Sequence, residues 1–296
     1  MLSPFQAPGQ FYKGNIHGHS DRSDGAIPPE EVCRRYREAG YDFIALTDHF
    51  LPAYDFPITD TRPFRTDGFT TILGAEVHAP ETSQGEPWHI LAVGLPQDFA
   101  PTADDETGVS LARRCAGAGA FVAIAHPQWY QLSLADGLAL DAAHAVEMYN
   151  HTSLVNADRG DGTALCDALL SEGRRLGCIA VDDSHWKADD AFGGWVMVKA
   201  GANTPEALLA ALKAGHYYAS QGPEIHDIAV EDGELAVRCS SAASVMLLGP
   251  ASRAACVHGT DLTGARLPLG KFAGGWARLV VTDADGRRAW SNPLWP

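Results

Sequence analysis

A chain of 296 residues and 31.6 kDa, 46% hydrophobic and 20% charged, has ordinary globular composition, which excludes disorder as its main state. Its 37 acidic residues against 22 basic ones leave a formal charge of −15, so most of the surface repels phosphate backbones and anionic lipid, and no stable nucleic-acid complex is expected. An anionic substrate would need a local positive centre, and bound metal cations could supply it.

The opening Met1-Leu2-Ser3-Pro4-Phe5 lacks a basic segment followed by an apolar run, so no signal peptide is expected. No window approaches the roughly 18 continuous apolar residues of a membrane span, and a cytoplasmic protein without a membrane partner is the expectation. Cys33, Cys115, Cys166, Cys178, Cys239 and Cys256 are dispersed without a CxxC and read as reduced, buried thiols.

From residue 12 to about 222, apolar strand-like runs alternate with helical segments, the pattern of βα units in a parallel sheet or barrel. Gly14 to His17 opens the first strand. Pro28-Pro29-Glu30-Glu31 starts a helix that runs through Glu38 and stops at Gly40. Further strands are Phe43 to Leu46, Thr71 to Leu73, Ile90 to Val93, Val122 to Ala125, Ala145 to Met148 and Ile179 to Val181, with helices at about 108–118, 160–175 and 205–214. After Gly222-Pro223 come short strand-like runs: Ile225 to Val230, Leu235 to Cys239, Val245 to Leu248, Arg278 to Thr282 and Arg288 to Trp290. Gly- and Asp-rich turns separate them, which predicts an antiparallel sandwich-like tail. A boundary near 222 divides domain 1–222 from domain 223–296, and the smaller domain is expected to pack on the larger.

The strongest signal is the placement of His, Asp and Glu at strand termini: His17 and His19, His49, Glu76, His89, His126, and Asp183 with His185. In a βα barrel such residues converge from distant sequence positions at one face. His17-Gly18-His19 and Asp183-Ser184-His185 each set two ligand-type side chains at i and i+2, on one side of an extended strand. Imidazole and carboxylate together suit Zn, Mn or Fe.

These residues resemble the PHP family, named for polymerase and histidinol phosphatase. The matching pieces are His17-Gly18-His19 with Ser23-Asp24-Gly25, Leu46-Thr47-Asp48-His49, Gly74-Ala75-Glu76, His89-Ile90, Ala125-His126-Pro127 and Asp183-Ser184-His185. The tail, with Tyr217 to Pro223 and Ala289 to Pro293, resembles the branch that includes the CehA/McbA carbamate-ester hydrolases. The resemblance implies an α/β protein: a distorted (β/α)7 TIM-like barrel of the PHP fold, followed here by the small all-β sandwich-like domain. It also implies two to three divalent metal ions. The first would take His17, His19, Glu76 and Asp183; the second Glu76, His89 and His126; the third Asp24, His49 and His185.

Two cations sharing a hydroxide make it a nucleophile at neutral pH and polarise the electrophile's oxygen. Glu76 is the expected bridge, and Asp183 the residue expected to orient that hydroxide and take its proton. The leading expectation is therefore a hydrolase of phosphomonoesters or phosphodiesters of a small molecule. A carbamate or carboxylic ester hydrolase is the alternative, and a metal-stabilised binding module the alternative outside the enzymes.

His78, two residues after Glu76, competes with His89 for a ligand role. His89 is preferred because it opens a separate strand in Trp88-His89-Ile90. Asp21 reads as a solvated neighbour of Asp24, and Asp48 as a hydrogen-bond partner for a ligand imidazole. Arg22 and Lys187, with Lys13, are the candidate phosphate contacts, and His151 a candidate pocket residue. Trp129, Tyr130, Tyr149 and Trp186 either shape an apolar pocket or pack under the rim loops.

Overall fold

The structure, a computed structural model, describes residues 4–296. The reading of the first three residues, Met1 to Ser3, for a signal peptide lies outside the described residues. Among those described, no helix is long and apolar enough to cross a membrane.

Strand β1 (Gln10–Asn15) leads through a loop into helix α1 (Pro29–Glu38). Pro29 opens the helix where no N–H is needed; Glu30 and Glu31 occupy its first turn and Arg35 and Arg37 its last, each sign matched to the helix dipole. Val32, Cys33 and Tyr36 share one face and bury it against β2 (Phe43–Leu46). Gly40, at φ 78°, makes the left-handed turn that stops the helix. All four residues of β2 are buried, as in a strand covered on both faces. There follow β3 (His49–Phe50), β4 (Thr70–Ala79), β5 (Trp88–Val93), α2 (Gly108–Gly117), β6 (Phe121–Ile124) and α3 (Leu134–Ala139). Then come β7 (Ala145–Asn150), α4 (His151–Ala157), α5 (Thr163–Ser171), β8 (Gly177–Val181), β9 (Trp195–Ala200), α6 (Pro205–Lys213) and β10 (Tyr217–Ser220).

These strands lie side by side in the order β10-β9-β1-β2-β4-β5-β6-β7-β8. The sheet is mixed, which corrects the parallel arrangement expected from the alternation of strands and helices. The β1–β2, β2–β4, β6–β7 and β7–β8 pairs are parallel, whereas β5 runs antiparallel to β4 and β6, and β9 antiparallel to β1 and β10. The physical reason is in the connection: residues 80–87 between β4 and β5 are too few for a crossover helix, so the chain turns back as a hairpin. No ladder joins β1 to β8. Just beyond their ends Gly18 and Ser184 form a single parallel bridge, with the Asp183 N–H donating to the His17 carbonyl and the His19 N–H to the Ser184 carbonyl, both at 2.9 Å. The gap is thus fastened at the edge that carries the histidines. Phe43, Ile72, Leu91, Phe121, Ile179 and Val196 belong to one buried cluster on the strands that lead to that edge.

The tail is antiparallel: β11 (Ile225–Glu231), β12 (Glu234–Leu248), β13 (Ala254–Pro268), β14 (Arg278–Thr282) and β15 (Arg288–Ser291). The two runs read as Leu235 to Cys239 and Val245 to Leu248 are one strand, irregular between Arg238 and Ser244. β15 pairs with β10, so a single sheet passes from the first unit into the tail. Arg278 is fully buried and donates through Nε and Nη2 to both carboxylate oxygens of Asp167 on α5, at 2.7 and 2.8 Å. Asn292 accepts from the Cys178 N–H and donates to the Gly215 and Tyr217 carbonyls. The tail therefore packs on the first unit. Of the six cysteines, five are buried and Cys256 is exposed.

Candidate metal centre

β5 explains how His89 reaches the site from the start of its strand rather than the end. Because β5 runs antiparallel to β4, its first residues lie beside the last residues of β4, and His89 stands opposite His78 in the register. The pleat turns Ile72, Gly74, Glu76 and His78 to one side of β4. Ile72 fills the apolar cluster while Glu76 and His78 stand nearer the strand's carboxyl end.

Glu76, fully buried, is the hub. Its Oε1 lies 2.7 Å from His89 Nδ1 and 2.9 Å from His126 Nε2; its Oε2 lies 2.7 Å from His49 Nδ1 and 3.5 Å from Nε2 of both His17 and His19. Asp183 Oδ1 is 2.8 Å from His19 Nε2 and 3.3 Å from His17 Nε2. Asp24 Oδ1 stands 3.3 Å from His185 Nε2 and 3.5 Å from His49 Nε2. Ligand atoms on adjacent corners of one metal shell are about 3 Å apart, given bonds of about 2.0–2.2 Å.

All nine residues singled out in the sequence are thus gathered here, in overlapping groups. One holds His19, Asp24, His49 and His185; others are His17, His19 and Glu76; His17, His126 and Asp183; and Glu76, His89 and His126. His78 forms a further group with His49 and Glu76, its Nε2 2.9 Å from His49 Nδ1. The competition between His78 and His89 is geometric: His89 is the closer to Glu76, at 2.7 against 3.9 Å.

The donor set fits divalent cations on an observation internal to the site. His17 Nε2, His19 Nδ1, Asp24 Oδ1, Glu76 Oε2 and His126 Nδ1 are buried without a hydrogen-bond partner, and buried polar atoms are rarely left so. Charge shows the same tension. Burial works against ionisation of Glu76 and Asp183, yet the surrounding imidazoles, His49, His89 and His17 for the one and His17, His19 and His185 for the other, hold both carboxyls well below the usual range. Burial, with His185 and His49 beside it, lowers His19 to about 4, while Asp24 and Asp183 overcome burial at His185 and raise it to about 9. Neighbouring rings pulled in opposite directions compete for protons that a bound cation would displace.

The supporting shell was only partly legible. Glu147, a buried carboxylate on β7, accepts from His126 N–H at 2.6 Å and Asn150 Nδ2 at 2.9 Å, and its Oε1 lies 2.6 Å from His17 Nδ1. A carboxylate inside the apolar run Ala145-Val146-Glu147-Met148 was the available signal. Asp48, expected to hold a ligand imidazole, instead accepts from the Ser20 N–H and from the hydroxyls of Ser20, Ser23 and Thr59. It fixes the loop that carries Asp24. Asp182 performs the same service for the Asp183–His185 loop, accepting from the N–H groups of Phe192, Gly193 and Gly194 and from Tyr36 Oη. That loop holds Asp183, Trp186 and Phe192 at φ 58°, 63° and 67°, left-handed values that non-glycine residues keep only under such constraint.

A cavity of about 390 Å³ opens over the cluster, lined by Asp24, His49, His89, His126, Asp183 and His185 and walled by Trp129, Thr152, Ser153, Asn156 and Lys187. Lys187 Nζ sits 3.2 Å from Asp24 Oδ2. Arg22, by contrast, lines a separate cavity with Pro28, Pro57 and Phe64, and Lys13 lies 4.0 Å from the ring centroids of both Tyr41 and Trp195. The His151 Nδ1 is 2.7 Å from Tyr149 Oη, and its neighbours Thr152 and Ser153 line the cavity in its place. Asp21 is exposed. Trp129 stands edge-on to His89 and His126 at the cavity, while Trp186 packs on Tyr36 and Phe192.

A two-domain protein from Bacteroides vulgatus, containing a predicted PHP-like metal-dependent phosphoesterase, is 17% identical and shares the fold over 98% of each chain, with a TM-score of 0.56. A putative metal-dependent phosphoesterase from Bifidobacterium adolescentis is 18% identical over 58% of this chain and 87% of its own, with a TM-score of 0.43. An amidohydrolase from Chromobacterium violaceum with bound sulfate is 17% identical over 60% of this chain and 89% of its own, with a TM-score of 0.46. No curated protein matches the chain. Residues 15–157, which bring His17, His19, Asp24, His49, Glu76, His89 and His126 to the centre, match the family model of the PHP domain, and the chain therefore carries a PHP domain.

Proposed function

We propose that the protein is a metal-dependent hydrolase of small-molecule phosphoesters, with its centre on Glu76. The observation that carries this reading is the convergence of five imidazoles on one buried carboxylate while Glu76 Oε2 and His17 Nε2 remain without hydrogen-bond partners. The first of two to three divalent ions would be held by His17, His19, Glu76 and Asp183, the second by Glu76, His89 and His126, and the third by Asp24, His49 and His185, with Mn, Fe or Zn suited to the donors. Such ions supply the charge that makes a water acidic and an ester oxygen electrophilic.

The chain's own residues do the rest. Asp183 sits at the cavity with one oxygen among imidazoles and the other, Oδ2, accepting from Asn150 Nδ2 at 3.1 Å, a placement suited to receiving a proton from an attacking water. Glu147 fixes His17 and the backbone at His126, and Trp129 covers part of the cavity. On this reading the first unit is a distorted (β/α)7 TIM-like barrel, residues 1–222, and residues 223–296 form the second domain of a cytoplasmic enzyme.

A neutral carboxylic or carbamate ester is the second reading, favoured by one observation: among the described residues the one lysine or arginine that lines the cavity, Lys187, is more than half exposed and already faces Asp24. Metal analysis and a substrate panel test both readings together. Purified protein incubated with Mn, Fe or Zn is expected to retain two to three equivalents and to hydrolyse a chromogenic phosphomonoester faster than an aryl carbamate. Protein that binds no metal overturns the centre; metal-loaded protein that cleaves the carbamate alone overturns the phosphoester reading.

A further inference from the structure

Among the described residues, every imidazole in the overlapping ligand groups except His78 has a place in one of the three metal positions. His78 is 5% exposed and stands on β4 opposite His89 in the register, two residues beyond Glu76. One side of it is apolar, where it lines a separate cavity with Phe50, Leu51 and Phe56. The other side meets His49 and His89, which line the metal-side cavity. His78 Nε2 shares a hydrogen bond of 2.9 Å with His49 Nδ1 and lies 3.9 Å from Glu76 Oε2.

The direction of that bond follows from the neighbouring carboxylate. His49 Nδ1 is only 2.7 Å from Glu76 Oε2, yet Oε2 has no hydrogen-bond partner, so the His49 ring aims its Nδ1 at His78 and past the carboxylate. A lone pair on Nδ1 would face a carboxylate oxygen at that short distance, whereas a proton there faces it favourably. The proton therefore belongs on His49 Nδ1, and His78 Nε2 accepts it. A neutral imidazole protonated at Nδ1 carries its lone pair on Nε2. His49 Nε2 is the atom that faces Asp24 Oδ1, at 3.5 Å. With the N–H engaged by His78, the lone pairs of Glu76 Oε2 also stay open.

We propose that His78 is a positioning residue for the third metal position: it accepts the Nδ1 proton of His49, so that His49 Nε2 faces the cation shared with Asp24 and His185 and no N–H occupies Glu76 Oε2. The proposal rests on the metal-centre reading but on no substrate, and metal retention tests it without turnover. Mn-loaded, full-length protein is dialysed against falling concentrations of free Mn, with elemental analysis at each step. The wild type is expected to hold three equivalents at the start. His78→Leu keeps bulk beside Phe50 and Leu51 but removes the acceptor, and it should release one equivalent at about 10–100-fold higher free Mn while the other two hold, the loss typical of a group that orients a ligand. His78→Gln, whose Oε1 accepts the same proton, should bring that equivalent back to within about fivefold of the wild type. Asp24→Asn should weaken the same equivalent, and His78→Leu added to it should cost less than it does alone. Equal retention in the wild type and His78→Leu overturns the role of His78 and leaves the centre standing. A glutamine variant as weak as the leucine variant also overturns it, because the imidazole itself would then be a ligand. Loss of every equivalent in His78→Leu, or a wild type that holds no third equivalent, overturns the assignment to this position. Wild-type protein that holds no Mn at all overturns the centre and the role together.

Discussion

Two buried polar clusters in this chain solve the same problem differently. Where the tail docks, Arg278 meets Asp167 with two parallel hydrogen bonds, and one positive charge is matched by one negative charge. Around Glu76, the carboxylates of Glu76, Asp183 and Glu147 sit among imidazoles, and five ligand-type atoms of the centre have no hydrogen-bond partner. A closed pair is complete from protein atoms alone. In the Glu76 cluster the imidazole N–H groups do not match every lone pair, and the nitrogens and carboxylate oxygens left over are the atoms a cation would meet. Buried polarity that closes on itself holds the fold, and buried polarity left open by the protein marks where a ligand belongs.

The largest effect should come from the open cluster. Glu76→Gln keeps the shape but removes the charge on which His17, His19, His49, His89 and His126 converge. Metal content and kcat/KM should fall together, with the rate down by about a thousandfold or more, beyond the 10–100-fold typical of groups that only support a ligand. Elemental analysis beside kinetics reads both quantities, and unchanged metal content with an unchanged rate would remove Glu76 from the centre.

The closed pair should respond in stability rather than activity. Asp167→Ala leaves the Arg278 guanidinium, 1% exposed, without its counter-charge, and about 3–5 kcal/mol of unfolding free energy should be lost. Urea denaturation measures this, while activity per folded molecule should stay at the wild-type value. A loss below about 1 kcal/mol would mean that the tail docks through its apolar contacts alone.

The same contrast explains what the sequence disclosed. Ligands at strand termini and the short i, i+2 pairs are local patterns, so His17, His19, Asp183 and His185 could be read from the chain alone. Strand direction is a long-range property. The reversal of β5 depends on residues 80–87 being too short for a helix, and the apolar run Ile90 to Val93 looks the same in either orientation. β13 escaped notice because most of its residues are exposed and no apolar alternation announces it. The role expected of Asp48 falls to Glu147, to which no role was assigned from the sequence: adjacency to His49 suggested a contact that the strand geometry gives to Glu147 and His17 instead.

Glu147 gives the next smaller effect. Its Oε2 accepts from two N–H donors, the His126 backbone and Asn150 Nδ2, while Oε1 faces His17 Nδ1. In Glu147→Gln one oxygen becomes an NH2 group, so whichever way the amide turns, a donor meets a donor. The expected loss is about 10–100-fold in metal affinity or kcat/KM, smaller than for Glu76→Gln because every ligand atom is retained. Metal titration of the folded variant checks it, and wild-type affinity would show that His17 is held well enough by its own backbone.

The smallest effect separates the two basic residues that the sequence offered for phosphate recognition. Lys187 lines the metal-side cavity, whereas Arg22 lines a different one, so proximity in sequence to a ligand residue was equal for both but position in space is not. Lys187→Met removes the charge while keeping most of the apolar stem. Because the ammonium is more than half exposed and already faces Asp24, water and that carboxylate screen it, and the cost for a phosphomonoester should be no more than about tenfold in kcat/KM. For a neutral carboxylic ester the same substitution should be nearly silent, since no anion is there to be recognised. Arg22→Met should be silent toward both substrates. A larger loss from Arg22 than from Lys187 would mean that the substrate reaches beyond the metal-side cavity into the space lined by Pro28 and Phe64, and the assignment of the two cavities would have to be exchanged.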